Sequence, residues 1–263
     1  MPVTDLKWDA ELDGCQVGGI SVRRIADLES FPFPVGAIFP DQTVEITRSL
    51  TDRFGPVHND PRTLEIFLSF HSFVIRTGAH TILVDLCVGN DKIRADRPQW
   101  HMRDGPFLTH LAAVGVTPED VDFVMCTHLH ADHVGWNTKR AGGEWVPTFA
   151  NAEYLFAEKE YAYWRAEYDK NPPEPLLHGS FEDSVLPVVA AGQATMVAGD
   201  HRVEAGIYLE PAYGHTPGNV VVHVEDGGDH AIVCGDAIHH PVQLAHPEWS
   251  TNFCFDADQS RAA

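Results

Sequence analysis

Between Glu65 and Asp91 the chain reads EIFLSFHSFVIRTGAHTILVDLCVGND. Leu68, Phe70, Ser72 and Val74 alternate there with Phe67, Ser69, His71, Phe73 and Ile75, in residue types of high β propensity. The pair Thr77-Gly78 interrupts the run and TILVDLCVG resumes it, so a hairpin is predicted. Its second arm, residues 80–86, is apolar enough to be an interior strand, which makes Asp85 near its end conspicuous.

Other stretches carry their own periods. CQVGGISVRRIADL, residues 15–28, contains apolar positions for a first strand. Residues 30–62 are rich in Pro, Gly and Asp and read as a mostly irregular arm, a lid or an interface, with a short helix near 41–50. GPFLTHLAAVGV sets Phe107, Leu108, Leu111 and Ala112 at helical spacing, with Gly115 as the stop. TPED is a turn with Pro after a capping Thr, and VDFVMC is a strand. EYLF, residues 153–156, predicts a strand, and EKEYAYWRAEYD an amphipathic helix. PPEPLL is a linker, and SFEDSVLPVVAAG a helix capped by Ser180. The short strands ATMVAG, GIYLEPAYG, NVVVHVEDGG and HAIVCGD follow, and Gly227-Gly228 marks a hairpin tip between the last two. Strand blocks early and late with helices between them predict an α/β chain of two packed sheets covered by helices.

Bulk composition narrows the partners. The 263 residues are 44% hydrophobic, and 18 basic against 38 acidic side chains give a formal charge of −20. Such a charge disfavours nucleic acid and anionic membranes as partners. No apolar run approaches the roughly 18 residues of a membrane span. The opening MPVTDLKWDAELDG has neither the basic nor the apolar region of a secretion signal, so a cytoplasmic location is expected. Cys15, Cys87, Cys126, Cys234 and Cys254 are scattered without a CxxC pair, which fits reduced thiols.

Chemistry concentrates directly after VDFVMC, where THLHADHVGW puts three histidines and an aspartate into a few positions. Loops at strand ends are where binding groups converge without disrupting a core. His128 and His130 can point the same way, as alternate residues of an extended piece do. Asp132 and His133 are adjacent and diverge, which suits two different ions. YGHTPGN places His215 on a turn. IVCGD delivers Asp236 from an apolar strand, with Gly235 giving close backbone access. The predicted first metal site is His128, His130 and His215; the second is Asp132 and His133, with Asp236 bridging. A bridging carboxylate and hydroxide hold such ions about 3.5–4 Å apart. Zinc is the default cation for this donor set, with manganese, cobalt or iron as alternatives. His58, His110, His178 and His201 stand alone and read as surface or hydrogen-bonded groups. Asp132 and Asp236 are the candidate proton carriers. Trp136, Phe107, Ile238, His239 and His240 are the candidates for the substrate wall, with no more than one of His239 and His240 facing it.

THLHADH, GHTPGN and the Gly-Asp after an apolar strand resemble the metallo-beta-lactamase superfamily. HLHADHVGWN, WVPTFANAEYLF and GDAIHHPVQLAHPEWS followed by FDAD resemble one branch of it, that of methyl parathion hydrolase-like enzymes, akin to quorum-quenching N-acyl homoserine lactonases. The resemblance covers roughly residues 65–256. It implies an αββα four-layer sandwich in one domain over residues 1–263, a dinuclear metal site, hydrolysis of a small lactone, ester or phosphotriester, and a homodimer. Carried over residue by residue, the ligand set is the one assigned above. Relatives supply one more histidine to the second metal after a further helix, so the chain reads as C-terminally truncated; His246 lies too early for that role. An alternative expectation follows, a catalytically weak metal-binding protein lacking its last ligand. The lactonases also carry a tyrosine between the positions of His215 and Asp236. None occurs here, Tyr213 falling before that interval, and Asn219 stands where many members have histidine.

Overall fold

The computed structural model describes residues 7–11, 13–40, 48, 57–60, 62–63 and 65–263. Its larger sheet has seven strands. In spatial order these are β1 (Gly14–Val17), β2 (Ile20–Pro34), β3 (Glu65–Arg76), β4 (Thr81–Val84), β5 (Phe123–Cys126), β8 (Glu153–Ala157) and β9 (Ala194–Val197). A smaller sheet runs β10 (Arg202–Glu204), β11 (Ile207–Pro211), β12 (Val220–Asp226) and β13 (Asp229–Val233), and β6 (Thr138–Ala141) pairs with β7 (Glu144–Pro147) as a separate hairpin.

The period of two in the central strands sends successive side chains into two different cores. Val74, Leu83, Val124, Cys126, Tyr154 and Phe156 pack on one face with Phe107, Leu111, Phe181, Val185 and Val188, which come from helical segments. Their neighbours Ile75, Ile82, Val84, Met125 and Leu155 face the other way and meet Ile207, Leu209, Val220, Val222 and Val224 of the small sheet. The helix layer over one sheet and the dry interface between two sheets are thus written in the same strands. β4, β5, β8 and β9 are parallel to one another and end on a common edge. The histidine loop leaves from that edge.

Several expectations need revision. Residues 15–28 hold β1 and the beginning of β2, joined by a turn at Gly18-Gly19, where one strand was expected. Residues 30–34, expected to be irregular, complete β2: Phe31 pairs with Leu68 and Phe33 with Ile66. Pro32 and Pro34 are tolerated because β1 pairs only with residues 20–23, leaving the other edge of this end without a ladder. A short helix, α1 (Val35–Ile38), follows. The helix expected near 41–50 falls, Arg48 apart, outside the described residues. Ser180 does not cap a helix; its hydroxyl donates to the Leu177 carbonyl, and residues 181–185 form a π turn before α-helical residues 186–190. The hairpins at Thr77 and at Gly227-Gly228 stand where expected. Thr117 and Asp120 form the reciprocal capping pair foreshadowed by TPED. The five cysteines are free thiols.

Candidate metal centre

β5 ends at Cys126 and releases Thr127, whose backbone N–H and hydroxyl both donate to Asp85, at 2.7 and 2.8 Å. Asp85 sits at the end of β4 in the left-handed region (φ 55°), a conformation that costs energy for a non-glycine residue and is held here by these bonds. Beyond Thr127, His128 and His130 turn to the same side, as the extended spacing required. His215 Nε2 lies 3.2 Å from His128 Nε2 and 3.0 Å from His130 Nδ1. Burial holds His128 and His215 well below the usual imidazole range, and His130 down to about 3. Three neutral imidazoles therefore aim ring nitrogens at one point.

Asp236 lies across this point. Its Oδ2 is 3.2 Å from His215 Nε2 and 3.9 Å from His128 Nε2, while Oδ1 is 3.3 Å from His133 Nε2. Asp132 Oδ2 stands 3.8 Å from the same His133 nitrogen. Donor atoms thus fall into two groups sharing Asp236: His128, His130, His215 and Asp236, and Asp132, His133 and Asp236, each with its atoms within 4.8 Å of one another. Asp132 and His133, adjacent in sequence and expected to diverge from each other, fall instead in the same group, with Asp132 Oδ2 3.8 Å from His133 Nε2.

The residues fit a pair of divalent cations. Nitrogens about 2.0–2.1 Å from a tetrahedral ion stand a little over 3 Å apart, close to the spacing found here. Burial opposes charge on His133, yet Asp236, Asp85 and Asp132 together carry its protonation well above the ordinary range. Burial likewise works against ionising Asp236, but His133, His239 and His215 hold it well below the usual carboxylate range. Burial raises Asp132. The second group sets two carboxylates about one imidazole, a donor set of the kind divalent cations take.

Two supports were not assigned a role from the sequence. Asp85 also lies 2.9 Å from His133 Nδ1, which leaves Nε2 to face the centre. Glu160, buried on the helix Glu158–Asp169 (α2), accepts from the N–H groups of Leu129 and Gly218 and from Trp164 Nε1. One carboxylate thereby ties the His128–His130 loop to the His215 turn. A Cβ at Gly218 would stand 2.2–2.6 Å from Glu160, so the turn must carry glycine there. Asp85 was visible as an acid ending an apolar strand. Glu160 gave no such signal, because an acid in the first turn of an exposed helix is ordinary.

Gly235 behaves as expected: with φ 47°, its absent Cβ would strike the Thr127 side chain at 2.5–3.0 Å. The substrate-wall candidates separate. His239 joins the centre, its Nε2 3.3 Å from Asp236 Oδ2. His240 turns away and bonds the His58 carbonyl and the Val242 N–H. Ile238 is half-buried beside them. Phe107 and Trp136 are corrected: they stack on each other at 5.3 Å inside the helix-side core, with 0% and 4% of their surface exposed. Burial pushes the Cys126 thiol well above its ordinary range, which disfavours a thiolate on that sulfur.

The profile of the metallo-beta-lactamase superfamily matches residues 69–260, a span that contains every donor named above. The chain belongs to the metallo-beta-lactamase superfamily. Among curated relatives, an N-acyl homoserine lactonase of Bacillus cereus is 29% identical over 120 residues, which is 45% of this chain and 38% of the relative. The N-acyl homoserine lactonase AiiA of Bacillus thuringiensis subsp. kurstaki is 28% identical over 117 residues, 44% of this chain and 37% of the relative. The matched stretch is thus well under half of these lactonases. Solved structures share the superfamily fold over nearly the whole chain. A probable metal-dependent hydrolase from Staphylococcus aureus superimposes with TM-score 0.73 at 21% identity, covering 94% of this chain and 83% of that one. AidC, described as a dizinc quorum-quenching lactonase in complex with a product, superimposes with TM-score 0.69 at 19% identity, covering 95% and 82%.

Proposed function

We propose that this superfamily member is a dinuclear metallo-hydrolase that opens a lactone or cleaves a related ester or phosphotriester. The observation supporting the dinuclear reading is Asp236, whose two oxygens face different donor groups, His215 at 3.2 Å and His133 at 3.3 Å. In this reading His128, His130 and His215 would hold one ion, Asp132 and His133 the other, and Asp236 would offer an oxygen to each. Bound there, such ions, zinc by preference, would supply an acidified water and polarise the substrate oxygen that gains charge. Asp132, one of whose oxygens is counted in its cluster, would be the first candidate to accept a proton during hydrolysis. Asp236 holds the spacing and is the second proton carrier only after that task. His239, 3.3 Å from Asp236, is the residue proposed to meet the substrate. The named activity of the lactonase relatives and the charge of −20 both favour a small neutral substrate over a polyanion.

A second reading rests on the unequal donor sets, four residues in the first group against three in the second. The chain then keeps one ion tightly and turns over slowly.

Metal analysis of purified protein, combined with hydrolysis assays on a lactone panel and methyl parathion, tests both. Two tightly held equivalents that depend on His128, His130, Asp132 and His133, and a rate abolished by Asp236→Ala, are expected. Fewer than one equivalent, or hydrolysis indifferent to Asp236→Ala, overturns the proposal; one equivalent with a near-background rate selects the second reading.

A further inference from the structure

The small sheet has a second face, turned away from the inter-sheet core. Because Val220, Val222 and Val224 point inward, the alternate residues of β12, Val221, His223 and Glu225, point outward. Cross-strand pairing places Tyr208 opposite His223, and His230 opposite Glu225. His223 is buried on this face, 6% exposed, although its neighbours Glu225 and His230 are open to solvent.

His223 Nδ1 and His230 Nε2 are 2.8 Å apart, their rings stacked with centroids at 5.0 Å. Glu225 Oε1 lies 3.7 Å from the same His230 nitrogen. The three donors fall within 4.8 Å of one another. Outer partners orient two of them. Glu210 Oε2 stands 2.8 Å from His223 Nε2, on the side of the ring away from His230. His223 Nδ1 is the nitrogen that faces His230. The Tyr208 hydroxyl donates to Glu225 Oε1 at 2.8 Å, and its ring stacks on His223 at 4.6 Å. Carboxylates behind ligating imidazoles, and donors behind ligating carboxylates, are the arrangement by which proteins aim metal ligands. The backbone beneath is a hydrogen-bonded antiparallel ladder, so ordering three ligands costs little further entropy.

We infer that His223, Glu225 and His230 form a second, independent metal site on the outer face of the small sheet, taking one borderline divalent cation such as zinc. Two neutral imidazoles and one carboxylate give it the nitrogen-oxygen donor set that zinc, nickel and copper prefer over magnesium or calcium. The remaining coordination positions open to solvent. Bound there, the cation cross-links β12 to β13, with β11 supplying the orienting groups. The site shares no residue with the centre built on His128, and it stands or falls separately from the proposed hydrolysis.

The test is zinc titration of the full chain by calorimetry, with competition against a chromophoric chelator. Wild-type protein is compared with His230→Gln, an exposed position outside the hydrolytic centre, and with Glu225→Gln. Wild type is expected to take up one equivalent more than His230→Gln, and Glu225→Gln to bind that equivalent at least about 10-fold more weakly. A His128→Ala/His130→Ala chain should retain the additional equivalent, which separates this site from the other centre. Equal zinc stoichiometry in wild type and His230→Gln overturns the inference, as does loss of the additional equivalent only in the His128→Ala/His130→Ala chain.

Discussion

Asp85 Oδ2 lies 2.9 Å from His133 Nδ1, and the same carboxylate accepts the Thr127 backbone N–H at 2.7 Å. A single buried side chain therefore sets the direction of one candidate ligand and anchors the start of the loop that carries the others. Asp85→Asn keeps an acceptor for the Thr127 N–H but puts an amide beside the imidazole. The second metal equivalent is predicted to bind about 10–100-fold more weakly, with the first nearly unchanged. Chelator competition on the two equivalents measures this. Unchanged affinity at both would show that Asp85 serves only the fold.

Glu160 makes the second long-range tie. Its carboxylate accepts from Leu129, Gly218 and Trp164, so Glu160→Ala strands three donors in a buried place. Each buried donor left without a partner costs about 1–3 kcal/mol, and a total loss of about 3–5 kcal/mol is expected after partial relaxation. Glu160→Gln retains an acceptor and should lose roughly half as much. Urea unfolding of the three proteins decides the matter. A loss below about 1 kcal/mol for Glu160→Ala would mean that the two loops hold their places unaided.

Much of this centre was readable before any coordinates. His128, His130, Asp132 and His133 follow a run too apolar to be anything but a strand, and Asp236 ends another. The edge location and the need for Gly235 follow from local geometry, whereas the expected divergence of Asp132 from His133 does not hold, since both join one donor group. Trp136 misled because it adjoins the histidine motif in sequence. The backbone turns through residues 135–137 and sends the indole down onto Phe107. Phe31-Pro32-Phe33-Pro34 misled because prolines argue against a strand unless one edge is free, and that freedom depends on how far β1 extends. The hairpin of β6 and β7 carries in Gly142-Gly143 the same local turn signal as Gly227-Gly228, whereas the role of Glu160 depends on tertiary contacts that no local period encodes.

The correction at Trp136 has its own consequence. Trp136→Ala should behave as a core deletion, costing about 3–5 kcal/mol. Trp136→Phe should cost much less, since the aromatic contact with Phe107 persists and the indole N–H has no acceptor among the described residues. Neither change should alter KM for any substrate the protein hydrolyses. A KM shift of about tenfold or more in Trp136→Phe, with stability intact, would return this residue to the pocket wall.

Lys92 gives a pH dependence with a definite sign. Its side chain is fully buried, with Nζ 2.6 Å from the Thr138 hydroxyl, 3.6 Å from Asp183 and 3.6 Å from the centroid of Trp145. Burial pulls its pKa from 10.5 down to about 7, against the attraction of Asp183. The folded chain thus releases this proton near neutrality, while the unfolded chain keeps it to about pH 10.4. Between those values the unfolded state binds more protons, so stability rises with pH. The contribution is complete above the unfolded value and is lost as pH falls through about 7. Its slope is on the order of 1 kcal/mol per pH unit across the middle of that window. Lys92→Met removes the ionisation and should flatten the slope, leaving the variant more stable than wild type at pH 7 relative to their difference at pH 9.5. Chelator-treated protein, unfolded in urea at both pH values, keeps metal binding out of the comparison. Identical slopes for the two proteins would mean that Lys92 keeps its proton in the fold, held by Asp183 and the face of Trp145.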